Sequence, residues 1–182
     1  MSKLKIGIDL DDTLNCLSRS WINAYNKEYS DNLPLSDIKS WDIAKYVKPE
    51  CGKDIFKFLF IPGFFKNLDV QPHAVEVVKW LCETYDVYIV SAAHYAVCGD
   101  KGAWLEEHFP FINYQNVIFC TNKSLMNLDY LIDDGSHNLE TFNGKGLLFD
   151  SHHNQSEYRF PRVMGWLEVK KFFEEEMKWH LR

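Results

Sequence analysis

Three carboxylates, Asp9, Asp11 and Asp12, fall within four residues at the end of an apolar run spanning 4–8. The run carries β-branched residues and no proline, which predicts a buried strand. Negative charge massed at the end of a buried strand is unfavourable unless something pairs with it, commonly a metal ion or bound cations. Asp9 and Asp11 are two residues apart, so on an extended chain their side chains leave from one face. The carboxyl end of a buried parallel strand is also where open α/β sheets hold their ligands. The spacing therefore predicts a place where two carboxylates meet a cation and a substrate. An acidic turn or a calcium loop is the plainer alternative.

The rest of the chain supplies the elements that must position these groups. Apolar runs at 87–91, 117–120, 130–134 and 146–150 predict four further strands, and helical spacing separates them. Ala74, Val75, Val77, Val78, Leu81 and Cys82 form one helix face; Trp104, Leu105 and Phe109 suggest another helix, ended by Pro110. A final amphipathic helix is expected over 166–181, with Leu167, Phe172, Phe173 and Met177 inward. Strands alternating with helices imply a parallel α/β sheet with right-handed crossovers. Between the first strand and this alternation, residues 15–69 read as short aromatic-rich helices, one of them over 54–60, broken at Pro34 and Pro62-Gly63. They are expected to form a small helical cap inserted after the first strand, over a core made of 1–14 and 70–182; the alternative is that they join the main core. The residues at the ends of the apolar runs are the informative ones: Ser91 after the second, Lys123 after the third, Asp133 and Asp134 at the fourth. In a parallel sheet these ends share one rim, so carboxylates, a hydroxyl and an ammonium can converge. Taken alone, Ser91 would be a turn residue and Lys123 a solvated surface charge.

The order Asp9-x-Asp11-x-Thr13, then Ser91, then Lys123, then Asp133-Asp134 resembles the four motifs of the haloacid dehalogenase-like phosphatases. Within that superfamily the chain is most similar to the 5'(3')-deoxyribonucleotidases. Phe64-Phe65, the stretch from Pro72 to Val78, the stretch from Lys101 to Phe109, Leu131 to Asp134, His153-Asn154-Gln155 and Trp166 carry that likeness. The resemblance implies a Rossmann-like parallel core with a helical cap and a magnesium-dependent phosphomonoesterase working through an aspartyl phosphate. Asp9 would be the nucleophile. Asp11 would protonate the leaving alkoxide and later activate water, or serve only as a metal ligand. Mg2+ prefers hard oxygen ligands; Asp9 and Asp133 would supply them, with Asp11 through its carbonyl. Asp134 is expected as a direct ligand or, preferably, as a group behind the ligands. Ser91 would donate to a phosphate oxygen, and Lys123 would pair with Asp9 and phosphate. Thr13 is expected to satisfy backbone groups of the turn, and Asp12 to face solvent.

Substrate choice must come from the cap. The resemblance puts Trp41 where an aromatic residue stacks on the base, and Trp21, Phe64 and Phe65 are further candidates for an aromatic wall; each is equally readable as ordinary cap core. Lys101 is expected near the phosphate, or else as a surface charge at a helix start. The chain departs from the vertebrate members at Gly135, where they carry Arg, and at Ala92, where they carry a second hydroxyl. Both departures remove polar contacts near the substrate. His152 and His153 lack partner carboxylates in sequence and are expected to be structural.

The 182 residues suffice for one core and a small subdomain. With 46% hydrophobic and 15% aromatic residues the chain is globular rather than disordered. A net charge of -6 argues against a protein held on a nucleic-acid polymer, while leaving a nucleotide monomer open as substrate. Five cysteines, an odd number without Cys-x-x-Cys spacing, argue against a disulfide scaffold or zinc finger and fit a reducing cytoplasm. No signal peptide or membrane span is expected; a homodimer is allowed for. Two rival functions are compatible with the sequence: a phosphatase for another small phosphoester such as a sugar phosphate, and a non-catalytic receiver-like phospho-acceptor module. The second lacks a carboxylate two residues past the acceptor and the long insertion.

Overall fold

The computed structural model describes residues 3–180. Six parallel strands form one sheet: β1 (Lys5–Ile8), β2 (Asp86–Ser91), β3 (Val117–Phe119), β4 (Tyr130–Asp133), β5 (Lys145–Phe149) and β6 (Arg162–Val163). Their order across the sheet is β3-β2-β1-β4-β5-β6. The five expected strands are present within a residue or so of their expected bounds. The sixth has only two residues, too short for a periodic signal. Helices α1 (Leu17–Tyr29), α2 (Ala74–Thr84), α3 (Cys98–His108), α4 (Ser136–Thr141) and α5 (Trp166–His180) complete the fold.

Both faces of the sheet are covered, which is why its strands read as continuous apolar runs. Successive residues of a strand point to opposite faces. Ile132 and Leu147 join Ile6, Ile8 and Ile89 in the main core cluster, together with Leu81 of α2 and Val169 and Phe173 of α5. Their neighbours Leu131 and Leu148 pack on the other face against Leu139 of α4 and Phe142. β1 lies at the centre, between β2 and β4. Its Gly7 has no room for a side chain: a Cβ there would stand 2.7 Å from Leu128 Cδ1.

Two helix faces are corrected in detail. Leu167 is exposed, because the buried stripe of α5 runs through Trp166, Val169 and Phe173 at helical spacing and Leu167 falls one position off it. Val75 likewise points outward from α2, whose buried residues are Ala74, Val77, Val78 and Leu81. Position 181, at the expected end of the last helix, lies outside the described residues.

The segment 15–69 holds α1 and a series of 3-10 turns, the longest over Gly52–Phe60. The stretch expected to be helical over 54–60 is helical, in the 3-10 form, a distinction from α that spacing of three against 3.6 cannot make over so few residues. Ile22, Tyr25, Ile38, Ile43, Val47, Cys51, Ile55 and Phe58 form a separate buried cluster in this segment. The segment leaves and returns through adjacent backbone. Asn15 bridges Val70, the Cys16 amide donates to the Asp69 carbonyl (2.9 Å), and the Gln71 amide donates to the Leu14 carbonyl (2.8 Å). Two buried indoles hold the same crossings: Trp104 Nε1 donates to the Leu68 carbonyl (2.7 Å) and Trp166 Nε1 to the Thr13 carbonyl (2.9 Å).

Candidate active site

β1 stops at Ile8, but the Asp9 amide still donates to the Ile132 carbonyl of β4 (2.9 Å). That bond seats Asp9 beside the end of β4, where Asp133 comes directly after Ile132. The chain then turns: Leu14 and Asn15 amides both donate to the Leu10 carbonyl, and Asp12 takes a left-handed backbone (φ 53°). Aspartate is among the few non-glycine residues that tolerate that conformation. Contrary to expectation Asp12 does not simply face solvent. Its carboxylate accepts from the Ser18 amide (2.8 Å) and from the Ser18 hydroxyl, serving the first turn of α1. Burial pushes its pKa up to about 7 against the pull of those two bonds. Thr13 is also corrected. Its hydroxyl is buried and has no hydrogen-bond partner among the described residues.

At the strand ends one carboxylate oxygen each from Asp9, Asp133 and Asp134 lies within 4.8 Å of the others, and all three residues are buried. Lys123, in the turn after β3, is 2% exposed, and its ammonium reaches both Asp9 Oδ1 and, at 2.5 Å, Asp133 Oδ2. Burial works against the charge on Lys123, but the two carboxylates outweigh it and hold its pKa above the ordinary lysine value. Burial raises the pKa of Asp9, partly offset by Lys123. Asp134 is raised well above the carboxylate range by burial and by the charges of Asp9 and Asp133. Its Oδ2 has no hydrogen bond among the described residues and faces His153 Nε2 at 3.2 Å. Three crowded acids with one ammonium, all hard oxygen donors and one of them without a hydrogen bond, suit a hard divalent cation.

Asp11 sits beside this cluster with both oxygens engaged. Oδ1 accepts from Asn15 Nδ2 (3.1 Å) and Oδ2 from Lys101 Nζ (2.5 Å). Burial raises its pKa and Lys101 opposes the rise. Lys101 is no surface charge. It is 2% exposed, donates also to Ser91 Oγ (3.2 Å) and the Ala92 carbonyl (2.8 Å), and lies over the Phe65 ring at 4.8 Å. Ser91, at the end of β2, is thus tied to Asp11 through one ammonium.

The aromatic candidates scatter. Phe65 is buried beneath Lys101 and belongs to the main core; Phe64 is half-buried against it, edge to face at 5.7 Å. Trp21 turns into the 15–69 segment and donates to the Ile55 carbonyl (2.7 Å). Trp41 alone reaches over the strand ends while remaining 55% exposed: its ring lies 4.1 Å from that of His153 and 5.4 Å from that of His137. On the opposite side Phe60 meets His94 edge to face at 5.2 Å, and the Gly63 amide donates to Asp100 Oδ2 (2.7 Å). A groove of about 720 Å³ lined by Leu105, Phe109, Tyr114 and Phe119 shares no residue with the acid cluster.

Asn138, which donates to both oxygens of Asp133, escaped the sequence reading. His153, expected to be structural for want of a partner carboxylate, faces Asp134, and Asn154 Nδ2 donates to the Asp134 carbonyl (2.9 Å) and the Phe149 carbonyl (2.8 Å). The sequence marks these two only by the family likeness of the polar run after the fifth strand.

Comparison with known proteins gives the chain's family and fold. The family described as "5' nucleotidase, deoxy (Pyrimidine), cytosolic type C protein" matches residues 3–177. A 5'(3')-deoxyribonucleotidase of Clostridium acetobutylicum is 56% identical over 174 residues, covering 96% of this chain and 97% of that protein. The 5'(3')-deoxyribonucleotidase of Bacillus subtilis is 41% identical over 172 residues, covering 93% and 98%. Among solved structures, a haloacid dehalogenase-like hydrolase from Streptococcus pneumoniae superposes with a TM-score of 0.63 at 16% identity, covering 94% of this chain and 98% of its own. A haloacid dehalogenase-type hydrolase from Bacillus subtilis, solved with magnesium, gives 0.60 at 11% identity over 96% and 100%. At those identities the two structures establish the fold.

Proposed function

The chain belongs to the family of cytosolic-type deoxyribonucleotidases, and from that premise we propose that it is a magnesium-dependent phosphomonoesterase acting on deoxynucleoside 5'- or 3'-monophosphates. The observation that carries the reading is the buried meeting of Asp9, Asp133 and Asp134 with Lys123 at the strand ends. Residues 15–69 serve as a cap over a catalytic core made of 1–14 and 70–182. The five free cysteines suit a cytoplasmic setting. No described helix is long and apolar enough to cross a membrane.

Asp9 and Asp133 would hold the Mg2+, with the Asp11 carbonyl contributing and Asp134 beside them. When bound, it neutralises charge on the phosphoryl oxygens and lessens their repulsion from Asp9. An Asp9 carboxylate oxygen attacks phosphorus, the phosphorus–oxygen bond to the nucleoside breaks, and Asp11 gives its proton to the departing oxygen. The burial that raises the Asp11 pKa favours its carrying that proton. A water then attacks the aspartyl phosphate while Asp11 takes its proton back, which frees Asp9 and releases inorganic phosphate. The Ser91 hydroxyl, Lys101 and Lys123 contact the phosphate oxygens, and Trp41 offers its exposed face to the base.

The test is phosphate release from a panel of deoxy- and ribonucleoside 5'- and 3'-monophosphates and sugar phosphates, with Mg2+ and with chelator. Chelator-sensitive turnover favouring deoxynucleotides is the expected result. Turnover of sugar phosphates alone would keep the chemistry and overturn the base pocket. Absence of turnover by folded, Mg2+-loaded protein would overturn the reading.

A further inference from the structure

We infer that Asn138 is a positioning residue for Asp133, and that Gly135 is the residue that lets it act. The inference rests on the reading of Asp133 as a metal ligand.

Asp133 is fully buried, and both oxygens of its carboxylate are engaged. The Gly135 amide donates to Oδ1 (2.8 Å) and Lys123 Nζ to Oδ2 (2.5 Å). Asn138 Nδ2 lies across both oxygens, 3.0 Å from Oδ1 and 3.1 Å from Oδ2. The Gly135 and Lys123 donors each hold one oxygen against rotation, and the Asn138 amide facing both oxygens fixes how far and in which direction the carboxylate projects. Asn138 is also neutral. A second ammonium there would compete with a cation for the charge of Asp133, whereas an amide orients the ligand and leaves its charge to the metal.

The reach of Asn138 depends on its neighbour. A Cβ at residue 135 would stand 3.0 Å from Asp133 Oδ1, 3.0 Å from Asn138 Nδ2 and 2.9 Å from His137 Cε1. A side chain at 135 would crowd the Asn138 amide and the carboxylate, which would have to give by a few tenths of an ångström, so glycine at 135 leaves this contact its room. Helix α4 supplies the rigid mount: it starts at Ser136, and the Asn138 amide is itself bonded to the Gly135 carbonyl (3.0 Å).

The test measures Mg2+ binding to the protein by calorimetry, alongside the Mg2+ dependence of phosphate release. Asn138→Ala and Asn138→Leu both remove the donor, the second at nearly the same shape, so loss of fold in one leaves the other to decide. Both are expected to weaken Mg2+ binding by roughly 10- to 100-fold, with KM for the nucleotide at saturating Mg2+ close to that of the parent. Leu139→Val perturbs the same helix from its apolar side and is expected to lower Tm with Mg2+ affinity unchanged. Parental Mg2+ affinity in the folded Asn138 variants, with binding lost in Asp133→Asn, would overturn the positioning role and leave the metal site standing. Undiminished binding in Asp133→Asn would remove the ligand role of Asp133, and the inference with it.

Discussion

The rim of the sheet and the 15–69 segment are built on opposite terms. At the rim, charged groups are buried and almost every one is answered by another: Lys123 by Asp9 and Asp133, Lys101 by Asp11, Asp133 by an amide and an asparagine. In the segment the charged side chains stay outside. Lys57 pairs with Glu28 with both about half exposed, and the interior is an apolar cluster of its own. Charge at the rim is therefore tied to chemistry, and charge on the segment to solvation. Variants of the two regions should fail differently.

Asp9→Asn should separate them most sharply. Turnover is expected to fall on the order of 10⁴-fold or more, with circular dichroism and Tm close to the parent. Retained turnover would end the assignment of Asp9 as nucleophile. Next in size is a pair of lysines. Lys123→Met leaves Asp9 and Asp133 buried without their cation, and chemical denaturation without metal should register a loss of about 3–5 kcal/mol. Lys57→Met, in the segment, breaks an exposed, solvent-screened pair and should change stability far less. Equal losses would erase the contrast.

Trp41 belongs to the segment but leans over the rim, so its effect should fall between. Trp41→Ala is expected to raise KM for deoxynucleotides by an amount matching about 1–3 kcal/mol of lost stacking, while Tm hardly moves. A change in Tm without a change in KM would make Trp41 a packing residue only.

A pH dependence on the rim side completes the comparison. Burial, reinforced by Lys39, lowers the His152 pKa to about 4 from an ordinary 6.5. The unfolded chain therefore binds more protons between those values, so this contribution to stability is complete above 6.5 and declines as pH falls toward 4. Asp12, raised to about 7, acts with the opposite sign in the same window. The informative measurement is the difference in Tm between His152→Gln and the parent across pH 4–7. The gap should narrow toward pH 4; a constant gap would refute the assignment.

The same contrast governs what could be read in advance. Asp9, Ser91, Lys123 and Asp133 were legible because each closes or succeeds an apolar run, and parallel pairing brings such ends together whatever lies between them. Lys101 was only half legible. It sits inside α3 three and four positions before the buried Trp104 and Leu105, so spacing puts it on their face, but a lysine carries no apolar signal and its partner Asp11 lies ninety residues earlier. Asn138 reaches Asp133 from five residues on, across a turn whose geometry the residue types do not announce, while His153 and Asn154 meet Asp134 through tertiary contacts that no spacing encodes. In the segment, α1 was legible from its periodic aromatic and apolar residues. The 3-10 form of the short turns was not, because over so few residues a spacing of three cannot be told from 3.6. The contact of Trp41 with His137 and His153 joins residues about a hundred positions apart and was likewise invisible.

The paired crossings at Asn15 and Val70, each clasped by a buried indole, have an evolutionary consequence. The backbone of the segment enters and leaves the core at two neighbouring points, and Ser18, Gly63 and Phe65 close to them also touch Asp12, Asp100 and Lys101. Because closing a longer loop between fixed ends adds cost only slowly with length, the part of the segment between these anchors can be lengthened, shortened or replaced while Asp9 and Asp133 keep their places. The junction is a socket. New substrate ranges can arise by exchanging what is plugged into it, and a graft that keeps residues 14–18 and 63–71 should inherit a working base.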